Sequence, residues 1–289
     1  DFGAAVQDAH AGNVGQVPRN EQLPAAWAPS PNEPVRFRPK NVLITGGAGF
    51  IASFACERFV ERYPHYTIVC LDVLDYCASR KNLARCFGQP NFHFIVGDIG
   101  NTELVRYILK HFNIDSILHF AAQSHVDNSF GNSIAFTQTN VLGTHALLEC
   151  ALEHEIKRFI HVSTDEVYGE QMEGQDPMSE EQVLEPTNPY AATKAGVAHL
   201  AEGIRTELHG TPLAKKIQVT VLYPGYIASE MNERVQQSTP LMASTEKGVR
   251  AMVAAIEKQV DSACVPALPW APMSVVMKHA PLPVLKRLI

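Results

Sequence analysis

The sequence predicts an α/β fold built on a doubly wound parallel sheet, and three observations predict it. Short apolar runs recur at Val42–Ile44, Thr67–Leu71, Phe92–Val96, Ser116–Phe120, Arg158–Ser163 and Ile217–Tyr223, each reading as a buried strand. Segments with apolar residues at helical spacing separate them, as parallel pairing requires. Small or polar residues close the runs, at Gly46, Asp72, Asp98, Ala121 and Thr164, and the carboxyl ends of such strands are where a parallel sheet takes ligands.

Composition bounds the rest. A formal charge of -6 over 289 residues argues against nucleic acid as a partner, and 46% hydrophobic content suits one domain with a sizeable core. Six scattered cysteines without a CxxC pair point to reduced, mostly buried thiols and a cytoplasmic protein, with a Cys70–Cys77 disulfide left open. The twelve histidines show no HExxH spacing, so no metal is expected. No apolar run reaches the roughly 18 residues of a membrane span, and no signal-peptide pattern opens the chain. The first residue is Asp1 and not Met, so the native start is expected upstream.

Residues 1–38 are proline-punctuated and lack an apolar period, which predicts a disordered extension. The domain then opens with strand, glycine turn and helix: Val42–Ile44, Thr45-Gly46-Gly47-Ala48-Gly49, and Phe50 to Val60. Gly46, Gly49 and Ala52 give GxxGxxA, in which small residues let the backbone bend and let a pyrophosphate rest on the amides opening the helix, beside Phe50 and Ile51. A glycine turn alone is weak evidence. Asp72, 23 residues beyond Gly49 at the end of the next strand, strengthens it, because an acid there accepts the ribose hydroxyls of NAD and repels the 2′-phosphate of NADP. Arg80 and Lys81 leave NADP as the lesser alternative.

The third strand runs into Gly97-Asp98-Ile99, where an acid is placed to bond an adenine amino group. Asn101 reads as the cap of a helix with Leu104, Val105, Ile108, Leu109 and Phe112 on one face. Ala121 and Ala122, after the fourth strand, permit close approach of a cofactor, as they would of core neighbours. His119 and His161, within strands, read as satisfied core or sheet-edge histidines. One helix is expected from about Ser133 to Glu153, carrying Asn140 either toward water or buried against backbone behind the site.

The fifth strand delivers Ser163-Thr164-Asp165-Glu166, a hydroxyl and two adjacent carboxylates. Residues 170–188 are acid-rich without a base and read as a solvated lid or crossover. Asn188 and Pro189 form a helix start, and Tyr190 and Lys194 fall one turn apart on its face. Pro224-Gly225 closes the sixth strand. Ser244 or Thr245 caps a further helix with Val249, Met252, Val253, Ile256 and Val260 on one side, and a proline-rich tail from Pro266 is expected to dock on the domain or a second subunit.

Together the TGxxGxx turn, the strand-end acid and YxxxK resemble the short-chain dehydrogenase/reductase superfamily, which implies a single Rossmann-like domain over 39–289 with six or seven strands. Residues 40 to about 200 are similar to nucleotide-sugar 4,6-dehydratases of its extended branch, those of dTDP-glucose above all. TGGAGFIAS, LDVLDYCASRKNL, HFAAQSHVDNSF, TNVLGTHALLE, FIHVSTDEVYGE and NPYAATKA carry the likeness. The resemblance implies that Tyr190 takes the proton of the sugar 4-hydroxyl, Lys194 lowers the Tyr190 pKa and holds the ribose, and Thr164 bonds the oxygen at carbon 4. Glu166 is implied as the base at carbon 5 and Asp165 as the acid at the 6-hydroxyl. Cofactor contacts are implied at Gly46, Gly49, Phe50, Ile51, Asp72, Asp98, Ile99, Ala121, Ala122, Asn140, Tyr190 and Lys194. It further implies a homodimer through the helices carrying Asn140 and Tyr190, with a nucleotide sugar as substrate.

Beyond about His199 the chain resembles the single-domain reductases of the superfamily, in AEGIRTELHG, VTVLYPGYIASEMNE and PWAP. That likeness implies cofactor contacts at Pro224, Gly225, Ile227 and Ser229, with the short segment 226–289 in place of a full substrate lobe. A 4,6-dehydratase is therefore the first expectation, ahead of a single-domain alcohol dehydrogenase or ketone reductase and of a catalytically idle NAD-binding hybrid.

Overall fold

The structure, a computed structural model, describes residues 37–169, 183–208, 211, 217–225, 227 and 243–266. The expected extension lies outside the described residues except for 37 and 38, as do most of the acid-rich loop, Ser229 and the tail beyond 266.

Seven strands form one sheet in the order β3-β2-β1-β4-β5-β6-β7. They are β1 (Asn41–Thr45), β2 (Thr67–Asp72), β3 (Phe92–Val96), β4 (Ser116–His119), β5 (Arg158–Val162), β6 (Gln218–Pro224) and β7 (Ser262–Val265). Every pairing is parallel, with Val42 aligned to Ile68 on one side and Ser116 on the other. The six sequence-predicted strands stand where the apolar runs place them, with ends shifted by a residue or two. β7 has only four residues, of which Val265 alone is fully buried, too short a run for sequence reading to isolate.

Alternate strand residues feed two cores, because successive side chains point to opposite faces. Leu43, Val69, Ile117, Phe159 and Val221 pack on one side with α2 (Thr102–His111), α5 (Thr144–Glu153) and α6 (Pro189–Leu208). Val42, Ile44, Ile68, Leu118, Ile160 and Leu222 pack on the other with α1 (Phe50–Arg62) and α7 (Thr245–Lys258). Both faces are covered, as a parallel sheet needs. Short helices α3 (Val126–Gly131) and α4 (Ser133–Phe136) lead from β4 toward α5.

The helix expected over Ser133–Glu153 is present but not uniformly α. Thr137–Gly143 winds as a π turn between α4 and α5. Such a turn accommodates an extra residue, and here it carries Asn140, buried at 1% exposure, whose side chain is bonded to Gln123 beyond β4. Periodicity near 3.6 does not distinguish one π turn from continuous helix, so the sequence leaves it hidden.

Candidate active site

The glycine turn is shaped by steric need. Gly46 has φ +69°, and a Cβ there would lie 2.6 Å from the Ala121 backbone, so a side chain is excluded twice over. Its N–H donates to Leu71 O at 2.8 Å, and Gly49 N–H donates to Gly46 O at 3.1 Å. Gly49 is the N-cap of α1, where no side chain caps the helix and no acid stands in the first turn. Contrast α2 and α7, whose ends are capped by the side chains of Asn101 and Ser244. An uncapped helix end of positive sign, with Phe50 and Ile51 half-buried beside it, fits a pyrophosphate.

Asp72 is 5% exposed and holds its place by accepting from Ala48 N at 2.9 Å and Leu74 N at 2.8 Å. Burial raises its carboxyl above the usual range, against the pull of those two amides. Each oxygen keeps a lone pair for a ribose hydroxyl. Asp98 is exposed and accepts from Gly100 N at 2.8 Å, with Ile99 buried next to it. Ala121 and Ala122 are half-buried beyond β4. These residues gather at the carboxyl ends of β1 to β4 and form a cradle whose chemistry suits an adenine dinucleotide.

At the carboxyl end of β5 the chain enters a 3-10 turn, Asp165–Tyr168, capped by Thr164. The Thr164 hydroxyl accepts from Glu166 N at 3.3 Å and donates to Asp165 Oδ1 at 3.3 Å, and it stands near enough to the Tyr190 phenol to favour its ionised form. Burial, and then the Glu166 charge, push the Asp165 carboxyl up to about 6. Tyr190 and Lys194 project from α6, at 8% and 3% exposure. Burial, and then the Glu166 charge, raise the phenol well above its ordinary range, whereas burial draws the Lys194 ammonium down to about 7. Lys194 Nζ donates to Val162 O at 2.7 Å, which ties the helix to the strand that delivers Thr164.

Asn188 does more than sequence reading assigns it. Its Oδ1 accepts from Ala191 N at 2.8 Å, the expected cap, and its Nδ2 donates to Glu166 Oε2 at 3.0 Å. One amide thus starts the helix of Tyr190 and Lys194 and fixes the second carboxylate. The available signal was the choice of Asn, since Asp or Ser would cap the helix without an N–H to give.

Asn140 takes the buried alternative. It accepts from Gln123 N at 2.7 Å and donates to Gln123 O and Thr193 Oγ1, both at 2.9 Å. Its amide hydrogens are both engaged by protein, so it positions the wall of the cradle. Pro224 is buried, Gly225 N–H donates to Val265 O at 3.0 Å, and Ile227 bridges to Ala243 with its side chain against Gly248 of α7. Ile227 therefore sits in the α7 core.

The two strand histidines differ. His119 is satisfied by Thr45 Oγ1 at 2.7 Å and Thr144 Oγ1 at 2.8 Å, and burial with the Lys194 charge brings it down to about 3. His161 departs from the expectation: it is buried and neither ring nitrogen has a partner among the described residues. Burial, then the Lys194 and His119 charges, hold it neutral, and a neutral ring is the form that tolerates such a place.

Comparison with known proteins identifies the family. The family model described as GDP-mannose 4,6 dehydratase matches residues 43–219. The chain is 58% identical over 166 residues to the trifunctional UDP-glucose 4,6-dehydratase/UDP-4-keto-6-deoxy-D-glucose 3,5-epimerase/UDP-4-keto-L-rhamnose-reductase RHM2 of Arabidopsis thaliana, covering 57% of this chain and 25% of the plant protein. It is 50% identical over 156 residues to human dTDP-D-glucose 4,6-dehydratase, covering 54% of this chain and 44% of that protein. The chain thus matches a quarter to less than half of these two relatives. Among solved structures, the dTDP-glucose 4,6-dehydratase DesIV of Streptomyces venezuelae, crystallised with NAD, superposes with a TM-score of 0.67 at 28% identity, over 82% of this chain and 80% of that one. A double mutant of the same enzyme, also with NAD, gives a TM-score of 0.66 at 30% identity, over 78% and 74%. With the glycine turn, the acid pair and the Tyr190 helix all inside the matched span, the chain belongs to the GDP-mannose 4,6-dehydratase family.

Proposed function

We propose that this chain is an NAD-dependent nucleotide-sugar 4,6-dehydratase acting on dTDP-glucose or UDP-glucose. The observation that carries the reading is the pair Asp165 and Glu166 in one turn beside Thr164 and Tyr190, with Asp165 pushed up to about 6. A carboxyl raised by burial beside a second carboxylate suits an acid working with a base on one substrate.

Tyr190 as phenolate takes the proton of the sugar 4-hydroxyl, with Thr164 bonding the same oxygen. Burial and the Glu166 charge oppose that ionisation, and the role assigned to the Lys194 ammonium, one turn along the same helix, is to favour it. Gly46, Gly49, Asp72 and Asp98 would hold NAD, which would supply the hydride acceptor for carbon 4 and the donor for carbon 6. The 4-ketone acidifies carbon 5, where Glu166, oriented by Asn188, removes the proton. Asp165 gives its proton to the departing 6-hydroxyl, and Glu166 restores a proton to carbon 5 as hydride reaches carbon 6.

Three exposed apolar side chains, Phe130, Ile134 and Leu142, and two glycines of α6, Gly196 and Gly203, with open space above them, support a homodimer through this face. Six free cysteines support a reducing, cytoplasmic setting. Among the described residues no helix is long and apolar enough to cross a membrane. A single-domain alcohol dehydrogenase is favoured by one observation, that the family match ends at residue 219.

Incubation with dTDP-glucose and with UDP-glucose tests the proposal. The expected outcome is a 4-keto-6-deoxy sugar nucleotide from one or both, with Glu166→Gln and Asp165→Asn retaining oxidation at carbon 4 and losing dehydration. NAD-linked oxidation of simple alcohols with no sugar product would favour the alternative.

A further inference from the structure

β1 lies between β2 and β4 in the sheet, so the segments leaving β2 and β4 flank the glycine turn on either side. Neighbouring strands are about 4.8 Å apart, which sets β2 and β4 roughly 10 Å from each other. Two side-chain pairs nevertheless join the segments across the end of β1. Gln123 Nε2 donates to Asp75 Oδ2 at 2.6 Å, and Asn128 Nδ2 donates to the Tyr76 hydroxyl at 3.1 Å. Neither pair belongs to the sheet, to a helix cap or to the catalytic group.

The Gln123 end is firmly held. Asn140 engages both the N–H and the C=O of Gln123 and also bonds Thr193, whose hydroxyl donates to Tyr190 O at 2.7 Å. A continuous series of hydrogen bonds therefore runs from the helix of Tyr190, through Thr193 and Asn140, to Gln123 and Asp75. At its far end Asp75 stands three residues beyond Asp72, the acid placed for the ribose, on a segment whose other fixed points are Leu74 N–H on Asp72 and Ser79 N–H on Ala48 O.

We propose that Asp75 and Gln123, seconded by Tyr76 and Asn128, form a latch across the dinucleotide cradle that slows cofactor exchange and keeps its ribose wall in register with Tyr190. A dinucleotide lying from Asp72 toward Tyr190 must cross the end of β1, and the latch spans that crossing. Gln123 and Asp75 act as positioning residues and touch none of the proposed reacting atoms. The inference rests on the cofactor reading given above.

The test exchanges the partners. Gln123→Glu sets a carboxylate against Asp75 and opens the latch. Adding Asp75→Asn restores a donor and an acceptor with the roles reversed. NADH is bound to each protein and its release into excess NAD is followed by fluorescence, with thermal melting as a check of folding. Release is expected to quicken about tenfold or more in Gln123→Glu, and to return to near the wild-type rate in the double variant. Equal release from wild type and Gln123→Glu overturns the latch. Fast release from both the single and double variants also overturns it, because the effect then belongs to Gln123 alone. Wild-type protein that binds neither NADH nor NAD overturns the cofactor reading itself, a result that the release rates of the variants cannot mimic.

Discussion

Asp165 carries two consequences at once, one for stability and one for chemistry. Its carboxyl sits at about 6 in the folded chain against an ordinary value of 3.8. Between those values the folded chain holds a proton that the unfolded chain has lost, so the group's contribution is complete below pH 4 and is lost as pH rises through 6. Two pH units correspond to about 2–3 kcal/mol, an upper bound for a partly solvated side chain. Asp165→Asn is therefore expected to melt several degrees above wild type at pH 7.5, with the gap closing at pH 4. An equal gap at both pH values would show that Asp165 is not held protonated by its surroundings. Tyr190→Phe is expected to lower turnover by about 100-fold or more, with the melting temperature close to wild type, read by steady-state assay beside calorimetry. At this scale the acid pair and Tyr190–Lys194 were legible because each rests on short spacing. Asn188's bond to Glu166, 22 positions away in the chain, and the His161 ring nitrogens left without a hydrogen-bond partner among the described residues were not, because both depend on tertiary neighbours.

At the scale of the element, the start of α6 and the glycine turn decide how well the site is built. Asn188→Ala removes both the cap and the donor to Glu166, and is expected to cost about 1 kcal/mol in denaturant titration together with much of the dehydration rate. Asn188→Ser restores the cap but not the donor. It is expected to recover stability while dehydration stays low, and recovery of both would mean that the amide serves the helix alone. Gly46→Ala places a methyl 2.6 Å from the Ala121 backbone at φ +69°. It is expected to destabilise the fold by more than 1 kcal/mol, visible as a lower midpoint in urea. The strands and most helices could be read from the chain, because apolar period and capping residues are local. The π turn escaped because the bonds that accompany it, from Asn140 to Gln123 and Thr193, join three separate elements.

Over the whole molecule, the sheet brings the dinucleotide cradle at β1 to β4 beside the acids at β5 and the Tyr190 helix. The order of strands was legible as a class, since alternating strands and helices permit few other arrangements. The homodimer proposed through the exposed side chains of Phe130, Ile134 and Leu142 predicts that Ile134→Glu converts dimer to monomer in light scattering. An unchanged mass would place the interface elsewhere. The central claim is that one site oxidises carbon 4, expels water and returns the same hydride to carbon 6. Glucose deuterated at carbon 4, supplied as the dTDP or UDP sugar, tests it most directly. The account predicts a 4-keto-6-deoxy product with the deuterium at carbon 6, whereas a product without that label, or label accumulating in free reduced cofactor, would contradict it.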